Sequence, residues 1–82
     1  MIKGRVQGVF FRAETAERAR SLGLAGWVRN NRDGTVEAVF EGDREQIESV
    51  LRWCGRGPAL ASVEDVAVEW EPPRGEHGFA TR

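Results

Sequence analysis

The sequence has few of the residues that build disulfide frameworks, zinc sites or membrane spans. Its single cysteine, Cys54, excludes an internal disulfide framework, and Cys54 with the single histidine, His77, cannot supply the four ligands of a structural zinc site. No apolar run approaches the ~20 residues of a membrane-spanning helix, and the first five residues lack the apolar segment of a secretory signal. We therefore expect a cytoplasmic protein with no membrane association and no cofactor.

Charge is unevenly distributed along the 82 residues, although the net charge is only −1. Residues 1–36 contain seven Lys and Arg against three Asp and Glu, a net charge of +4, whereas residues 37–82 contain five against ten, a net charge of −5. A basic half on a nearly neutral protein favours a small anionic ligand over a broad nucleic-acid surface. Random surface charge explains the same split, so the asymmetry alone establishes no ligand.

The first third of the sequence predicts a strand, a helix and the end of that helix. Residues 2–7 have the composition of a short strand, and residues 13–22 are mostly good helix formers. Gly23 favours the left-handed conformation that often ends a helix, and Leu24 is placed for the apolar contact that accompanies such a cap.

A hairpin and a second helix are predicted to follow. Asp33-Gly34 lies between two strand-like segments, residues 25–31 and 35–41, and is typical of a hairpin turn. Asp43 is predicted to cap the second helix. The apolar residues of that helix recur at helical spacing, at Ile47, Val50, Leu51 and Cys54.

The last third predicts a strand that alternates at Val66, Val68 and Trp70, so that Trp70 packs on a sheet face. Residues 79–82 form either a fifth strand or a tail. The order β-α-β-β-α-β with two amphipathic helices predicts an α+β fold over the single domain of residues 1–82. The expected architecture is a ferredoxin-like βαββαβ sandwich, with two helices on one face of a mostly antiparallel sheet. Because this architecture hosts many activities, function has to be inferred from particular side chains.

The segment between the first strand and the first helix has the residues of an anion site. It runs Gly4-Arg5-Val6-Gln7-Gly8-Val9-Phe10-Phe11-Arg12 and lacks the spacing of a Walker A or dinucleotide-binding loop. Gly8 allows a turn in which backbone N–H groups meet ahead of a helix N-terminus, an arrangement that binds anions. Arg12 adds a planar guanidinium at the helix start. Glycine turns before helices are also common without a ligand, so both interpretations stay open for this segment alone.

Asn30 and Asn31 are unusual in a strand-like segment, because asparagine is depleted in strands. Asn31 fits the beginning of the hairpin turn. Asn30 lies further back, and in the expected fold strands one and two start or end near the same edge of the sheet. Its amide offers a donor and an acceptor, which suits it to hold a water molecule.

Taken together, these segments resemble the acylphosphatase family. The resemblance rests on residues 4–12, on Leu22-Gly23-Leu24-Ala25-Gly26-Trp27-Val28-Arg29-Asn30, on Asp33-Gly34-Thr35-Val36-Glu37 and on Glu41-Gly42, and it covers almost the whole chain. It implies a hydrolase, an acylphosphatase, that cleaves the carboxyl–phosphate bond of acyl phosphates to a carboxylate and inorganic phosphate. The implied partner is a small-molecule acyl phosphate, with inorganic phosphate as product and inhibitor, and we expect a monomer that binds no nucleic acid.

The resemblance also implies roles for individual residues. A loop of backbone N–H groups holds the phosphate together with Arg12, and Asn30 orients the attacking water. The implied substrate-binding residues are Gln7, Gly8, Val9, Phe10, Phe11 and Arg12, and the implied catalytic residues are Arg12 and Asn30. A carboxylate is a good leaving group, so no general acid is required, and by the same resemblance a phosphate oxygen of the substrate takes the proton of the water. Neither segment contains a carboxylate cluster, so no metal is indicated.

The sequence departs from the family pattern near both ends. Three residues precede Gly4 where members of the family usually have several more, so strand one is expected to be short, through truncation or a start placed too late. The last five residues, 78–82, lack the bulky apolar residue that is usual there. We expect both departures to affect stability more than catalysis.

Two other classes of function compete with hydrolysis. One is a module that only binds phosphate or carbamoyl phosphate, as in hydrogenase-maturation proteins, where the module usually belongs to a much longer chain. The other is a ferredoxin-like RNA-binding domain, which needs aromatic residues in a Lys/Arg-Gly-Phe motif on central strands and a broad basic face. His77-Gly78-Phe79 matches that motif poorly, and the acidic half of the chain opposes it.

Overall fold

The computed structural model describes residues 1–82 and contains seven elements. They are β1 (Ile2–Arg5), α1 (Phe11–Ser21), β2 (Ala25–Asn30), β3 (Val36–Glu41), α2 (Arg44–Cys54), β4 (Ser62–Val66) and β5 (Phe79–Thr81). The five strands form one sheet in the order β4-β1-β3-β2-β5, in which only the β2–β5 pair is parallel. This is the predicted ferredoxin-like arrangement with a fifth strand added at one edge.

One apolar core joins the two helices to the sheet. Ile2, Val28 and Val36 of the sheet share a buried cluster with Phe11 of α1, and the predicted stripe of α2 adds Ile47, Val50 and Cys54. The rings of Phe11 and Trp53 approach to 5.3 Å between centroids, which joins α1 directly to α2. Each fully buried apolar side chain contributes about 1.5–3 kcal/mol. No helix in the structure is both long enough and apolar enough to cross a membrane.

Both helix ends that were predicted from capping residues are confirmed. Gly23 has φ +71°, and its N–H donates to the carbonyl of Arg20 at 3.1 Å. The N–H of buried Leu24 donates to the carbonyl of Ala19 at 2.9 Å, which completes a Schellman motif. At the start of α2, the Asp43 carboxylate accepts a hydrogen bond of 2.9 Å from the N–H of Glu45.

The prediction that the fourth strand extends to Trp70 is wrong. β4 ends at Val66, and Val68 and Trp70 are 46% and 53% exposed. The physical reason is the lack of a partner: Ile2 of β1 pairs with Val66, and the last contact of this ladder joins Met1 to Ala67. Instead of packing on the sheet, the ring of Trp70 lies against the guanidinium of Arg44, 4.4 Å from its centroid.

The start of α1 and the end of β1 also differ from the predictions. α1 begins at Phe11 and not at residue 13, and β1 ends at Arg5, two residues earlier than predicted. As expected, β1 is short, and it meets β3 only where Ile2 pairs with Val36. Residues 79–81 form a strand, because Phe79 is buried and pairs with Gly26 of β2.

Candidate active site

The loop that precedes α1 and the end of β2 lie at the same edge of the sheet. β1 and β2 are both antiparallel to β3, so they run in the same direction and their C-terminal ends meet at one edge. Residues 6–10 leave β1 at this edge and lead into α1, and Asn30 is the last residue of β2. The two sequence segments that resemble acylphosphatases are therefore brought together by the topology.

Asn30 lies on the face of the sheet that carries the helices. It pairs with Val36, whose side chain is in the core, and it follows buried Val28 by two positions, which is the spacing of side chains on one face of a strand. Asn30 is exposed, and the side-chain hydrogen bonds of this hairpin involve Asn31 instead. The Asn31 amide donates to the hydroxyl of Thr35 at 3.0 Å, so Asn31 stabilises the turn while the Asn30 amide stays available.

The loop ahead of α1 has two residues in the left-handed region. Gly8 has φ +73° and Phe10 has φ +64°, and Phe10 is the one residue other than glycine with a positive φ. This conformation costs about 1–3 kcal/mol in a residue with a side chain. Phe10 is 72% exposed, whereas neighbouring Phe11 is buried in the core, so burial of its own ring does not account for the strain at Phe10.

The same loop presents a run of unused backbone donors. None of the backbone N–H groups of residues 7–12 donates to an acceptor in the protein, whereas the carbonyl of Phe10 accepts from Glu14 as α1 begins. N–H groups of successive residues around left-handed positions form an anion-binding concavity, and the dipole of α1 favours negative charge at the same point. This segment is therefore suited to bind an oxyanion.

Gln7 positions the loop through its side chain. Its Nε2 donates to the main-chain oxygens of Asn31, at 2.7 Å, and Thr35, at 3.0 Å, and so joins the loop to the β2–β3 turn. Both N–H donors of the Gln7 side chain are thus occupied, and its backbone N–H is the donor left for an anionic ligand. This structural role was missed from the sequence, which carries no local signal for a contact between segments so far apart.

Arg12 lies in the first turn of α1 and is held from the other end of the chain. Its Nη1 donates to the main-chain oxygen of Arg82 at 2.9 Å, and the N–H of Arg82 in turn donates to the carbonyl of Val28 at 2.8 Å. The contact places the Arg12 guanidinium next to Arg82. Arg82 in turn lies beside β2 at Val28, two positions before Asn30. A guanidinium carries five N–H donors, so most of them remain free for an anion.

Val9 and Phe11 fix the loop to the core. Both side chains are buried, at 9% and 1% exposure, so they cannot reach a ligand directly. Of the six predicted substrate-binding residues, therefore, Gln7, Val9 and Phe11 face the site only through their backbones. Gly8 has no side chain, and Arg12 alone offers a charged one.

The ionisable groups elsewhere do not form a second centre. No three His, Cys, Asp or Glu side chains lie together in a way that would hold a metal ion. Burial raises the pKa of the Cys54 thiol to about 12, so this thiol is not a nucleophile at neutral pH. A hydrogen bond from the Thr35 hydroxyl lowers the pKa of Asp33, whose carboxylate is thereby occupied within the turn.

Comparison with known proteins identifies the family. The family model for acylphosphatase matches residues 1–81. The chain belongs to the acylphosphatase family. An acylphosphatase from Trichormus variabilis is 57% identical over 81 residues, which are 99% of this chain and 80% of the relative. As the acylphosphatase family and its close relatives establish, the enzyme hydrolyses acyl phosphates.

Acylphosphatases of known structure share the whole fold. The structure of an acylphosphatase from Coxiella burnetii superposes with a TM-score of 0.94 at 38% identity, covering 99% of this chain and 85% of the other. Full-length HypF in its phosphate- and nucleotide-bound form also matches, with a TM-score of 0.91 and 28% identity. That match covers 99% of this chain but 11% of the HypF chain, so an acylphosphatase-like domain also occurs within a much longer protein.

Proposed function

We propose that the backbone N–H groups of residues 7–12 and the guanidinium of Arg12 bind the phosphoryl group of the acyl phosphate, and that Asn30 orients the attacking water. The observation that carries this proposal is the run of six successive backbone N–H groups without protein acceptors, directly ahead of Arg12. The first N–H groups of a helix have no partner within the helix, and here they continue a run of donors from the preceding loop, which supports an anion at this point.

The chemistry needs few protein groups. The water oxygen forms a bond to phosphorus while the bond between phosphorus and the carboxyl oxygen breaks. The carboxylate leaves with the electron pair of that bond, and the proton of the water passes to a phosphoryl oxygen. Such a transition state is loose, and its charge is spread over the phosphoryl oxygens. The fixed N–H groups and Arg12 stabilise this charge without reorganising, which is where most of the rate enhancement arises in sites of this kind.

The proposed role of Asn30 is to position the attacking water molecule. Its amide has both a donor and an acceptor, so it can hold a water molecule with one lone pair directed at phosphorus. The face of the sheet on which it lies, and its freedom from the hydrogen bonds that occupy Asn31, support this role. We also propose that one chain is sufficient for activity, because the loop, Arg12 and Asn30 all come from the same chain.

The proposal is tested by combining turnover with binding of the product. Hydrolysis of benzoyl phosphate, measured with and without a chelator, should proceed equally in both. Inorganic phosphate should inhibit competitively, and in a ¹⁵N-labelled sample it should shift the amide signals of residues 7–12 first. Shifts centred instead on the arginines near the C-terminal ends of the helices, Arg18, Arg52 and Arg56, would contradict the proposed cradle. Phosphate binding at the loop without turnover would favour the binding-module alternative.

A further inference from the structure

Two large apolar side chains are exposed at the edge of the sheet that carries the candidate site. Phe10 lies in the loop ahead of α1 and is 72% exposed, and Leu60, which precedes β4, is 70% exposed. β4 is antiparallel to β1, and its first residue, Ser62, pairs with Arg5, the residue from which the loop leaves β1. Both residues therefore lie at the edge where β1 and β2 end.

The phenyl ring of Phe10 adds little to the stability of the fold. The ring stays in water, and the backbone at this position, with φ +64°, is one that glycine adopts without the steric cost of a side chain. The neighbouring side chains of Val9 and Phe11 are buried and fix the loop to the core. Because the ring and its strained backbone lie within the proposed phosphate-binding loop, we look for their role in contact with the substrate.

A tight turn holds Leu60 near the start of α1. The N–H of Ala61 donates to the carbonyl of Pro58 at 3.0 Å, so Leu60 is one of the two central residues of a four-residue turn. The segment is packed against the first residue of α1, because a Cβ added at Gly57 would lie 2.7 Å from Cε2 of Phe11. The turn that carries Leu60 is thus anchored beside the residue that follows Phe10.

The geometry of the reaction directs the acyl group away from Asn30. In phosphoryl transfer the attacking and leaving oxygens are roughly in line, so a water held by Asn30 places the departing carboxyl oxygen on the opposite side of phosphorus. Asn30 ends β2, whereas the turn of Leu60 leads into β4, and β1 and β3 lie between these two strands in the sheet. The acyl group is therefore directed towards the side of the loop on which Leu60 lies.

We propose that the side chains of Phe10 and Leu60 bind the acyl group and make the enzyme select acyl phosphates with a large apolar acyl group. The assignment rests on the proposed function, because the phosphate-binding loop fixes where the acyl group begins. A benzoyl group removes apolar surface of both side chains from water, whereas an acetyl group is too small to contact both. The two side chains therefore determine specificity and take no part in the chemical step.

The test compares benzoyl phosphate with acetyl phosphate. The kcat/KM of benzoyl phosphate is divided by that of acetyl phosphate in each protein, and comparison of this selectivity ratio with that of the parent cancels the different reactivities of the two substrates. We expect the selectivity ratio to fall about tenfold in Phe10→Ala and about threefold in Leu60→Ala, because the phenyl ring offers the larger apolar area. An unchanged selectivity ratio in Phe10→Ala overturns the proposal.

Trp70→Ala is the matched control for loss of an exposed aromatic ring. Trp70 is 53% exposed and follows β4, beyond the end of that strand that pairs with Ile2, so it lies at the opposite edge of the sheet. Its replacement should leave the selectivity ratio at the parent value. A fall in Trp70→Ala equal to that in Phe10→Ala would show that the ratio does not report contact at the site, and would overturn the proposal.

Phe10→Gly separates specificity from folding. It removes the same ring and relieves the left-handed strain, so the selectivity ratio should fall as in Phe10→Ala while the urea midpoint does not fall. A lower midpoint with an equal loss for both substrates would assign the ring to the fold and overturn the proposal. Arg12→Lys should lower kcat/KM of both substrates by the same factor. If Arg12→Lys keeps its kcat while Phe10→Ala lowers the ratio, the role of Arg12 is wrong and the acyl contact stands.

Discussion

The guanidinium of Arg12 and the main-chain oxygen of Arg82 are joined by a hydrogen bond of 2.9 Å, across a separation of 70 residues in the chain. Arg82 is itself held, since its own guanidinium lies 4.7 Å from the centroid of the Trp27 ring. The side chain proposed to bind phosphate is thus oriented before any ligand arrives. Because the guanidinium is already oriented, it loses less conformational entropy when substrate binds.

Replacing Arg12 by Lys should nearly abolish turnover although the charge is kept. A single ammonium cannot form the two parallel hydrogen bonds that a guanidinium makes to a phosphoryl group, and loss of such a contact lowers kcat by about 10²–10³. The matched control is Arg20→Lys, because Arg20 also bonds a main-chain oxygen near the C-terminus, that of Phe79, but lies at the other end of α1. The measurement is the kcat of Arg12→Lys and Arg20→Lys in steady-state hydrolysis of benzoyl phosphate. A lysine variant with most of its kcat intact would show that Arg12 does not bind the phosphoryl group.

Asn30→Ala and Asn31→Ala should separate catalysis from stability. For Asn30→Ala we expect kcat to fall by about 10²–10³ with the inhibition constant of phosphate nearly unchanged, because a positioning group is lost and the phosphate ligands are not. For Asn31→Ala we expect the free energy of unfolding to fall by about 1 kcal/mol, because its hydrogen bond to Thr35 is lost.

The two asparagine variants are compared by inhibition kinetics and by urea unfolding of the same preparations. If Asn30→Ala keeps its kcat and unfolds at lower urea, Asn30 belongs to the fold and the water is oriented by another group. A loss of phosphate affinity in Asn30→Ala would instead make Asn30 a ligand of the phosphoryl group.

Salt should lower kcat/KM more than kcat. The N-terminal 36 residues, which contain the loop, Arg12 and Asn30, carry a net charge of +4, and attraction of an anionic substrate acts on encounter and not on the bound complex. At near-physiological ionic strength this attraction is screened over about 8–10 Å. The measurement is a series of Michaelis curves in potassium chloride, since sulfate would compete for the site. Values of kcat/KM that do not change with salt would make the charge asymmetry irrelevant to catalysis.

Structural features that depend on neighbouring residues could be predicted from the sequence, whereas features that depend on contacts between distant residues could not. The Schellman motif at Gly23 and the cap at Asp43 were predicted correctly, because both act within a few residues along the chain. The prediction for Trp70 failed because alternation shows only that a segment can be a strand. Whether it becomes one depends on a partner, and the ladder of β4 ends where Met1 meets Ala67, 66 residues away in sequence.

The candidate site shows the same difference between what the order of elements predicts and what depends on contacts between distant residues. That the loop before α1 and Asn30 lie at one edge of the sheet could be predicted, because the order of elements fixes where strands end. The tether from Gln7 to Thr35, 28 residues away, and the left-handed backbone of Phe10 were not foreseen. Phe10 carries no glycine or asparagine signal, so only the tertiary structure that holds the loop explains its conformation.

Glu41 should make stability depend on pH at the acid end. Backbone hydrogen bonds, the largest from the N–H of Arg74, lower the pKa of Glu41 below its usual value of 4.5. A carboxyl with a lowered folded-state pKa stabilises the fold fully above its unfolded-state pKa, and this contribution disappears as the pH falls through the folded-state value. In Glu41→Gln the urea midpoint should therefore fall less than in the parent between about pH 5 and about pH 3.

The control for Glu41 is Glu17→Gln, at an exposed position of α1. Amide exchange at residues 74–76 gives a second readout, since only the Glu41 variant replaces the charged carboxylate that accepts from their N–H groups by a neutral amide with one acceptor oxygen. Parallel pH curves for the parent and Glu41→Gln would show that the contact between Glu41 and residues 74–76 does not stabilise the fold in solution.

Because Cys54 is buried, alkylation of its thiol reports when α2 separates from the sheet. The thiol is 1% exposed, and a pKa of about 12 keeps it protonated, so an alkylating reagent cannot reach a reactive sulfur while α2 stays on the sheet. Because Cys54 is the sole cysteine, each molecule takes up at most one label, and no other residue needs to be altered. Where alkylation is faster than reclosing, the mass increase per unit time gives the opening rate under native conditions, and where it is slower it gives the equilibrium population of the open form.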